Sequence, residues 1–294
     1  MYRLPHFEYH RPKTLNEALE LLSKLEDAKI LAGGTDLLVD LRIGRYRPKH
    51  IIDISGLKEL KYIVDTGEAL RIGALTSIQE LLDSPLVSTR TPLLRESLEK
   101  FAYWQIRNMA TIGGNLCNAS PAADTAPPLL VYDAVLKAAS VSGERYIPIS
   151  EFFYGPRQTA LRKDELLVEV VIPYRKFVGY GYAYGKVGRR RGHDISIVAV
   201  AVALALDGSL IRDARVALNS VAPTPIRAKS VEKFLIGRDA SISVFEEASK
   251  LVENDISPIT DVRAPAEYRL HMAKLLIKEL LVEAYRRAFK GGFE

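Results

Sequence analysis

The sequence predicts an α+β fold in two parts: an N-terminal half in which short strands and helices alternate, and a C-terminal half built on a three-stranded antiparallel sheet followed by helices. Three observations carry this. Apolar spacing switches between helical and strand periods as far as residue 172. The pattern changes at residues 173–177, giving one domain over 1–174 and another over 178–290. Beyond that point, two long apolar strands flank Asp207-Gly208, a good hairpin turn.

In chain order, Thr14-Leu15-Asn16-Glu17 reads as a capping box, and Leu15, Ala18, Leu19, Leu22 and Leu25 then repeat at helical spacing. A short strand follows at 29–32 and ends in Gly33-Gly34. Residues 51–54 and 70–74 read as strands, 76–82 as a helix, and 92–109 as mostly helix running into Gly113-Gly114. Residues 135–139 and 147–149 are short strands, and 166–172 is an apolar strand stopped by Pro173. In the second half, 179–187 alternates, 195–206 is nearly continuously apolar, and 210–222 returns. Helices are expected at 228–235, 244–255 and 264–289. In the last, Leu270, Ala273, Leu276, Leu280 and Ala284 form one apolar face.

With 294 residues, 48% hydrophobic and 26% charged, the chain can bury two cores. Its first residues are polar and interrupted by Pro5, unlike the apolar core of a signal peptide. No run approaches the roughly 18 apolar residues of a membrane span, so a cytoplasmic location is expected. The single cysteine, Cys117, excludes an internal disulfide and an iron–sulfur cluster held by this chain alone, since such clusters usually take four thiolates. It reads as a small packing residue. A net charge of +5 and the Arg189-Arg190-Arg191 patch raise a nucleic-acid reading. Against it, 41 basic residues barely exceed 36 acidic ones, and Tyr180, Tyr182 and Tyr184 alternate as on a strand rather than in an RNA-binding motif. His193 stands without a nearby ligand pattern, so no metal ligand is assigned. There is no Ser-His-Asp grouping, HExxH helix or spaced carboxylate pair to support hydrolysis, and no catalytic residue is assigned.

Two double glycines stand out: Ala32-Gly33-Gly34-Thr35-Asp36 and Ala110-Thr111-Ile112-Gly113-Gly114-Asn115. Either alone could be a tight turn. Together they suggest one large ligand gripped twice, because glycine lets backbone N–H groups approach phosphate oxygens without an intervening Cβ. A dinucleotide with a pyrophosphate suits them. Neither segment matches G-x-G-x-x-G or the P-loop pattern.

Five ordered segments resemble the FAD-binding medium subunits of molybdenum hydroxylases: AGGTDLLVDLR (32–42), IRNMATIGGNLCNASPAADTAPPLL (106–130), GYAYGKVGRRRGHDIS (181–196), VAPTPIRA (221–228) and DVRAPAEYR (261–269). The resemblance implies a two-subdomain FAD-binding α/β domain of the PCMH type, followed by the antiparallel sheet with a helical bundle. It implies FAD contacts from Leu31, Ala32, Gly33, Gly34, Thr35, Asp36 and Leu37, where backbone N–H groups and the Thr35 hydroxyl would face the diphosphate. Asp36 reads as a helix cap, with Leu37 opening the next helix. It likewise implies contacts from Thr111, Ile112, Gly113, Gly114 and Asn115, with Asp124 accepting hydrogen bonds from ligand hydroxyls or amides. Lys186 matches a lysine near the flavin, Leu167 an apolar position packed on it, and Phe101 an aromatic contact found in some members. Where some relatives carry a tyrosine after the aspartate matching Asp194, this chain has Ile195.

By the same resemblance, the chain is the FAD-carrying electron-transfer subunit of a heteromeric molybdenum-containing aldehyde oxidoreductase, with glyceraldehyde as a possible substrate. A small subunit would carry [2Fe-2S] clusters, a large subunit the molybdopterin cofactor, and a small molecule would accept the electrons. The alternatives are a carbon monoxide or xanthine dehydrogenase medium subunit, a self-contained flavin oxidase or reductase, and, in another class, a basic nucleic-acid-binding or assembly protein.

Overall fold

The computed structural model describes residues 3–174, 179–190 and 194–290. The expected domain boundary at 173–177, part of the 188–193 loop, Arg191 and His193 thus lie wholly or partly outside the described residues.

Parallel strands β1 (Glu8–His10), β2 (Ala28–Leu31) and β3 (His50–Asp53) form a first sheet in the order β1-β3-β2. Helix α1 (Leu15–Lys24) connects β1 to β2, and α2 (Leu37–Arg42) connects β2 to β3. The Thr14 hydroxyl caps α1 by accepting from the Glu17 N–H at 3.2 Å. The expected box is only half formed, because the Glu17 carboxylate accepts from the Lys13 N–H instead. Ala18, Leu19 and Leu22 bury the apolar face of α1 against Ile52 and Ile54.

A second subdomain holds five antiparallel strands: β4 (Ile63–Asp65), β5 (Ala69–Gly73), β6 (Val135–Ser140), β7 (Gly143–Pro148) and, past a hairpin of β8 (Phe153–Gly155) and β9 (Gln158–Thr159), β10 (Leu166–Pro173). Their order is β4-β5-β10-β6-β7. Between β5 and β6 run six short helices: α3 (Ile78–Asp83), α4 (Pro85–Arg90), α5 (Pro92–Glu99), α6 (Trp104–Met109), α7 (Ile112–Cys117) and α8 (Ala126–Val131). A complete capping box, Ser77 with Glu80, starts α3. The helix expected over 92–109 is broken into α5 and α6, where Ala102 takes a left-handed φ of 32°.

The C-terminal sheet has four strands rather than three: β11 (Tyr180–Val187), β12 (Val198–Asp207), β13 (Leu210–Asn219) and the two-residue β14 (Ile226–Arg227). Two residues cannot show an alternation, so β14 is recognisable only from its pairing with Ala217 and Leu218. Helices α9 (Lys229–Leu235), α10 (Ile242–Lys250) and α11 (Ala266–Lys290) cover one face of this sheet. The other face packs on the first domain.

The sheet is buried on both sides, which explains why β12 reads as continuously apolar. Its period of two survives in size. Val198, Val200, Val202 and Leu204 meet the helices, whereas Ala199, Ala201 and Ala203 let the first domain close in. In β11, Tyr180, Tyr182 and Tyr184 face the first domain. The opposite face carries Gly181 and Gly185, and a Cβ at Gly181 would overlap the Ala284 carbonyl oxygen of α11. No helix among the described residues is long and apolar enough to cross a membrane.

Candidate functional site

The first sheet, the second subdomain and the C-terminal sheet enclose a cleft of about 960 Å³, at the upper end of ligand-pocket volumes. Both glycine segments line it. They also touch each other: a Cβ on Gly33 would overlap the carbonyl oxygen of Met109, the last residue of α6. Gly33 is therefore required for the first turn to seat against the segment that leads into the second.

The two segments differ in how their N–H groups are used. In the second, the Ile112 N–H donates to Thr76 O at 3.1 Å, Gly113 N–H to Ala74 O at 2.9 Å, and Asn115 N–H to Thr111 O at 2.9 Å. The Gly114 N–H donates to the Thr111 hydroxyl at 3.0 Å, which caps α7. The expected donor nest is thus spent internally. A Cβ on Gly113 would stand 2.7 Å from Ala74 O, so glycine here serves close packing. In the first segment, the N–H groups of Gly33, Gly34, Thr35 and Asp36 find no hydrogen-bond partner among the described residues. Gly34 turns the chain with a φ of +71°, a left-handed conformation that glycine adopts without strain.

Asp36 corrects another expectation. It precedes α2, but its backbone is helical, with φ −102° and ψ −52°, and its side chain caps nothing. A capping side chain needs extended backbone to fold back onto the following amides. The Asp36 carboxyl lies toward the cleft, its pKa raised by the surrounding protein and then by the Asp40 charge, with Arg157 opposing. Asp40 is buried and holds Arg45 and Arg157, each at 2.6 Å. Arg157 also donates to the Asn118 side chain at 3.1 Å, locking α2 to the end of α7. At six residues, α2 supplies free amides to this wall more than a macrodipole.

Across the cleft, Asp124 Oδ2 accepts from Lys186 Nζ at 2.6 Å, and the buried carboxyl has the Tyr184 hydroxyl and the Asn219 side chain as further polar neighbours. Burial raises the Asp124 carboxyl pKa, and the Lys186 charge opposes the rise. Lys186 itself lies behind the lining. Its ammonium also donates to Lys100 O at 3.0 Å, so it orients Asp124 rather than reaching into the cleft. Asn115 accepts from the Thr125 hydroxyl at 2.6 Å, which leaves its Nδ2 hydrogens for the cleft. Phe101 and Leu167 supply an apolar wall.

Of the residues named from sequence, Ala32 to Leu37, Phe101, Thr111, Gly113, Gly114, Asn115, Asp124 and Leu167 line the cleft. Leu31, on β2, and the fully buried Ile112 stand behind it. Cys117 was expected to be packed, but it opens onto the cleft. The protein enclosing its sulfur still pushes the thiol pKa up to about 12.

Sequence reasoning missed the far wall as a site. Asp261 and Arg269, the first and last residues of DVRAPAEYR, pair there at 2.7 Å. Arg269 also donates to Ile197 O and Ser220 O, while its Nε is buried without a partner. Burial works against the Asp261 charge, but hydrogen bonds from the Arg263 N–H and the Arg269 guanidinium outweigh it and bring the pKa down to about 2. The available signal was that the motif matched at both of these charged ends.

A two-part chain with a deep cleft, free turn amides on one wall and a buried carboxylate on the other suits a ligand with an anionic centre and polar ends, as a dinucleotide has. Residues 5–175 match the model of the FAD binding domain in molybdopterin dehydrogenase, and 182–284 that of the CO dehydrogenase flavoprotein C-terminal domain. The chain belongs to the FAD-binding medium subunits of the molybdenum hydroxylase family. It is 37% identical to the xanthine dehydrogenase FAD-binding subunit of Escherichia coli O157:H7, covering 97% of each chain. It is 34% identical to the glyceraldehyde dehydrogenase medium chain of Sulfolobus acidocaldarius, over 95% of this chain and 98% of that one. A solved structure of carbon monoxide dehydrogenase from Hydrogenophaga pseudoflava superposes with a TM-score of 0.93 at 35% identity, over 97% of this chain and 99% of that one. As in these relatives, the chain is an FAD-dependent oxidoreductase subunit.

Proposed function

We propose that the cleft holds FAD with its diphosphate against Gly33 to Asp36 and a hydroxyl or amide of the ligand against Asp124. The chain would receive electrons from [2Fe-2S] clusters on a small partner and deliver them to an external small-molecule acceptor. A large molybdopterin subunit would oxidise the substrate. The observation that carries this reading is the row of four free N–H groups in a segment that lines the same cleft as the Asp124 side chain. The donors match phosphate oxygens and the carboxylate oxygen matches a hydroxyl or amide N–H, so the residues fit the cofactor.

Each group has a definite task. The first turn binds the anion, Gly33 fixes the distance between the two segments, and Lys186 holds Asp124 in place. Phe101 and Leu167 exclude water beside the rings. Bound flavin supplies the exchange between single-electron and two-electron carriers. None of these tasks requires this chain to hold the oxidisable substrate.

An aldehyde such as glyceraldehyde is the substrate class proposed for the complex, with carbon monoxide and xanthine as alternatives, because relatives of comparable identity carry each of these in their names. A cytoplasmic setting belongs to the same proposal, since a chain with one cysteine suits a reducing compartment. The test is to titrate the flavin-free chain with FAD and then assay it with glyceraldehyde and a dye. Stoichiometric FAD binding without turnover is expected. Absence of FAD binding by the folded chain, or aldehyde oxidation by the chain alone, would overturn the reading.

A further inference from the structure

Far from the glycine turns in the sequence, three metal-ligating side chains meet on the first sheet. Glu8 and His10 are two residues apart on β1 and share a face of the strand. Parallel pairing sets His50 of β3 directly beside Glu8, on that same face. Tyr9 points the other way, where its hydroxyl donates to Asp53. His10 Nε2 stands 3.1 Å from His50 Nδ1. Glu8 Oε2 comes to 3.4 Å from His50 Nδ1 and Glu8 Oε1 to 3.8 Å from His10 Nε2.

We propose that Glu8, His10 and His50 form a binding site for one divalent transition-metal ion of the zinc class. The three separations suit it. With metal–ligand bonds of about 2.0–2.1 Å, neighbouring donors on a tetrahedron stand roughly 3.3 Å apart. The His10–His50 separation of 3.1 Å lies near that value, and Glu8 turns one carboxylate oxygen to each imidazole, at 3.4 and 3.8 Å. Two imidazole nitrogens and a carboxylate, without a thiolate, suit zinc, nickel or copper better than magnesium or calcium. Two ring nitrogens that face each other across 3.1 Å need one proton between them, and a metal ion would let both act as lone-pair donors. The histidines are only 17% and 19% exposed and so are held in place by the sheet, while Glu8, 66% exposed, leaves room for water as a fourth ligand.

None of the three lines the cleft, so the ion would not meet the flavin. Its role is structural. Strand β1 is an edge strand with three paired residues, and the ion would cross-link it to the central strand β3. The sequence conceals the triad because 40 residues separate His10 from His50.

The test uses the full FAD-loaded chain, metal-stripped and free of any histidine tag, titrated with zinc chloride by calorimetry and followed by thermal melting. One ion per chain and a higher Tm are expected. His10→Gln and His50→Gln should each weaken binding at least about tenfold, and Glu8→Gln by less. Anomalous diffraction from zinc-soaked wild-type crystals should place the ion between the three side chains, which keeps the test independent of any variant's folding. Unsaturable or absent binding by the wild type, unchanged affinity in the doubly substituted H10Q/H50Q chain, or an ion located elsewhere, Cys117 included, would overturn the proposal.

Discussion

The two double-glycine segments look alike on paper and do opposite things. Gly33-Gly34 leaves its amides unpaired on the cleft wall, whereas Gly113-Gly114 spends its amides on Ala74 and Thr111. In the first, glycine frees donors and permits the positive φ of Gly34. In the second, glycine removes bulk so that α7 can lie against the strand-to-helix corner at Ala74. A glycine pair therefore signals closeness of backbone to something, and only the neighbours decide whether that partner is a ligand or the protein itself.

The strongest way to break this contrast is Gly33→Ala. Its Cβ would overlap a backbone carbonyl, which cannot rotate away, so the two segments must part. A loss of about 3 kcal/mol or more is expected, with FAD released on gel filtration. A yellow protein with unchanged urea midpoint would refute the close seating. Gly113→Ala comes next. Its Cβ would sit 2.7 Å from Ala74 O and 2.8 Å from Ala74 Cβ, and overpacking of this kind costs about 1–3 kcal/mol. Here stability should fall in denaturant titrations while the FAD affinity of the folded fraction changes little. If affinity falls more than stability, the second segment is a ligand grip after all.

Gly34→Ala is milder. The left-handed conformation costs an L-residue about 1–2 kcal/mol, and the nearest atoms are the ends of the Leu38 and Leu31 side chains, which can move. The smallest effect concerns Cys117. A thiol pKa pushed up to about 12 leaves it protonated at neutral pH although it opens onto the cleft. Only the thiolate alkylates, so its reaction with iodoacetamide should be slow at neutral pH and rise roughly tenfold per pH unit while the pH stays below the pKa. Mass spectrometry of the labelled peptide reads this, and a rate that levels off by about pH 9, as for an ordinary thiol, would show the sulfur to be less enclosed than it is here.

Much of the chain was legible because its signals are local. The face of α1, the strand β10 stopped by Pro173, the Asp207-Gly208 hairpin and the tyrosine alternation of β11 each follow from spacing within a dozen residues. The break between α5 and α6 was hidden by helix-compatible residues on both sides of Ala102. The role of Asp36 was misread because Asp before an apolar run is a common cap, and nothing local revealed its helical backbone. Lys186 was expected near the flavin, and the structure shows it pairing with Asp124 from behind the cleft lining.

The sequence by itself determined the class of fold, the order of the motifs and one part of the cleft's lining. The fold class rests on periodicity and the two turns on glycine's missing side chain, whereas the lining residues rest on the resemblance of their motifs to the medium-subunit family. Only the tertiary structure decided which amides remain free, that Lys186 holds Asp124, that Asp261 and Arg269 close the far wall, and that Glu8, His10 and His50 meet. A hydrogen bond is satisfied or left open by whatever the rest of the chain brings within about 3 Å, and no local pattern of residues carries that information.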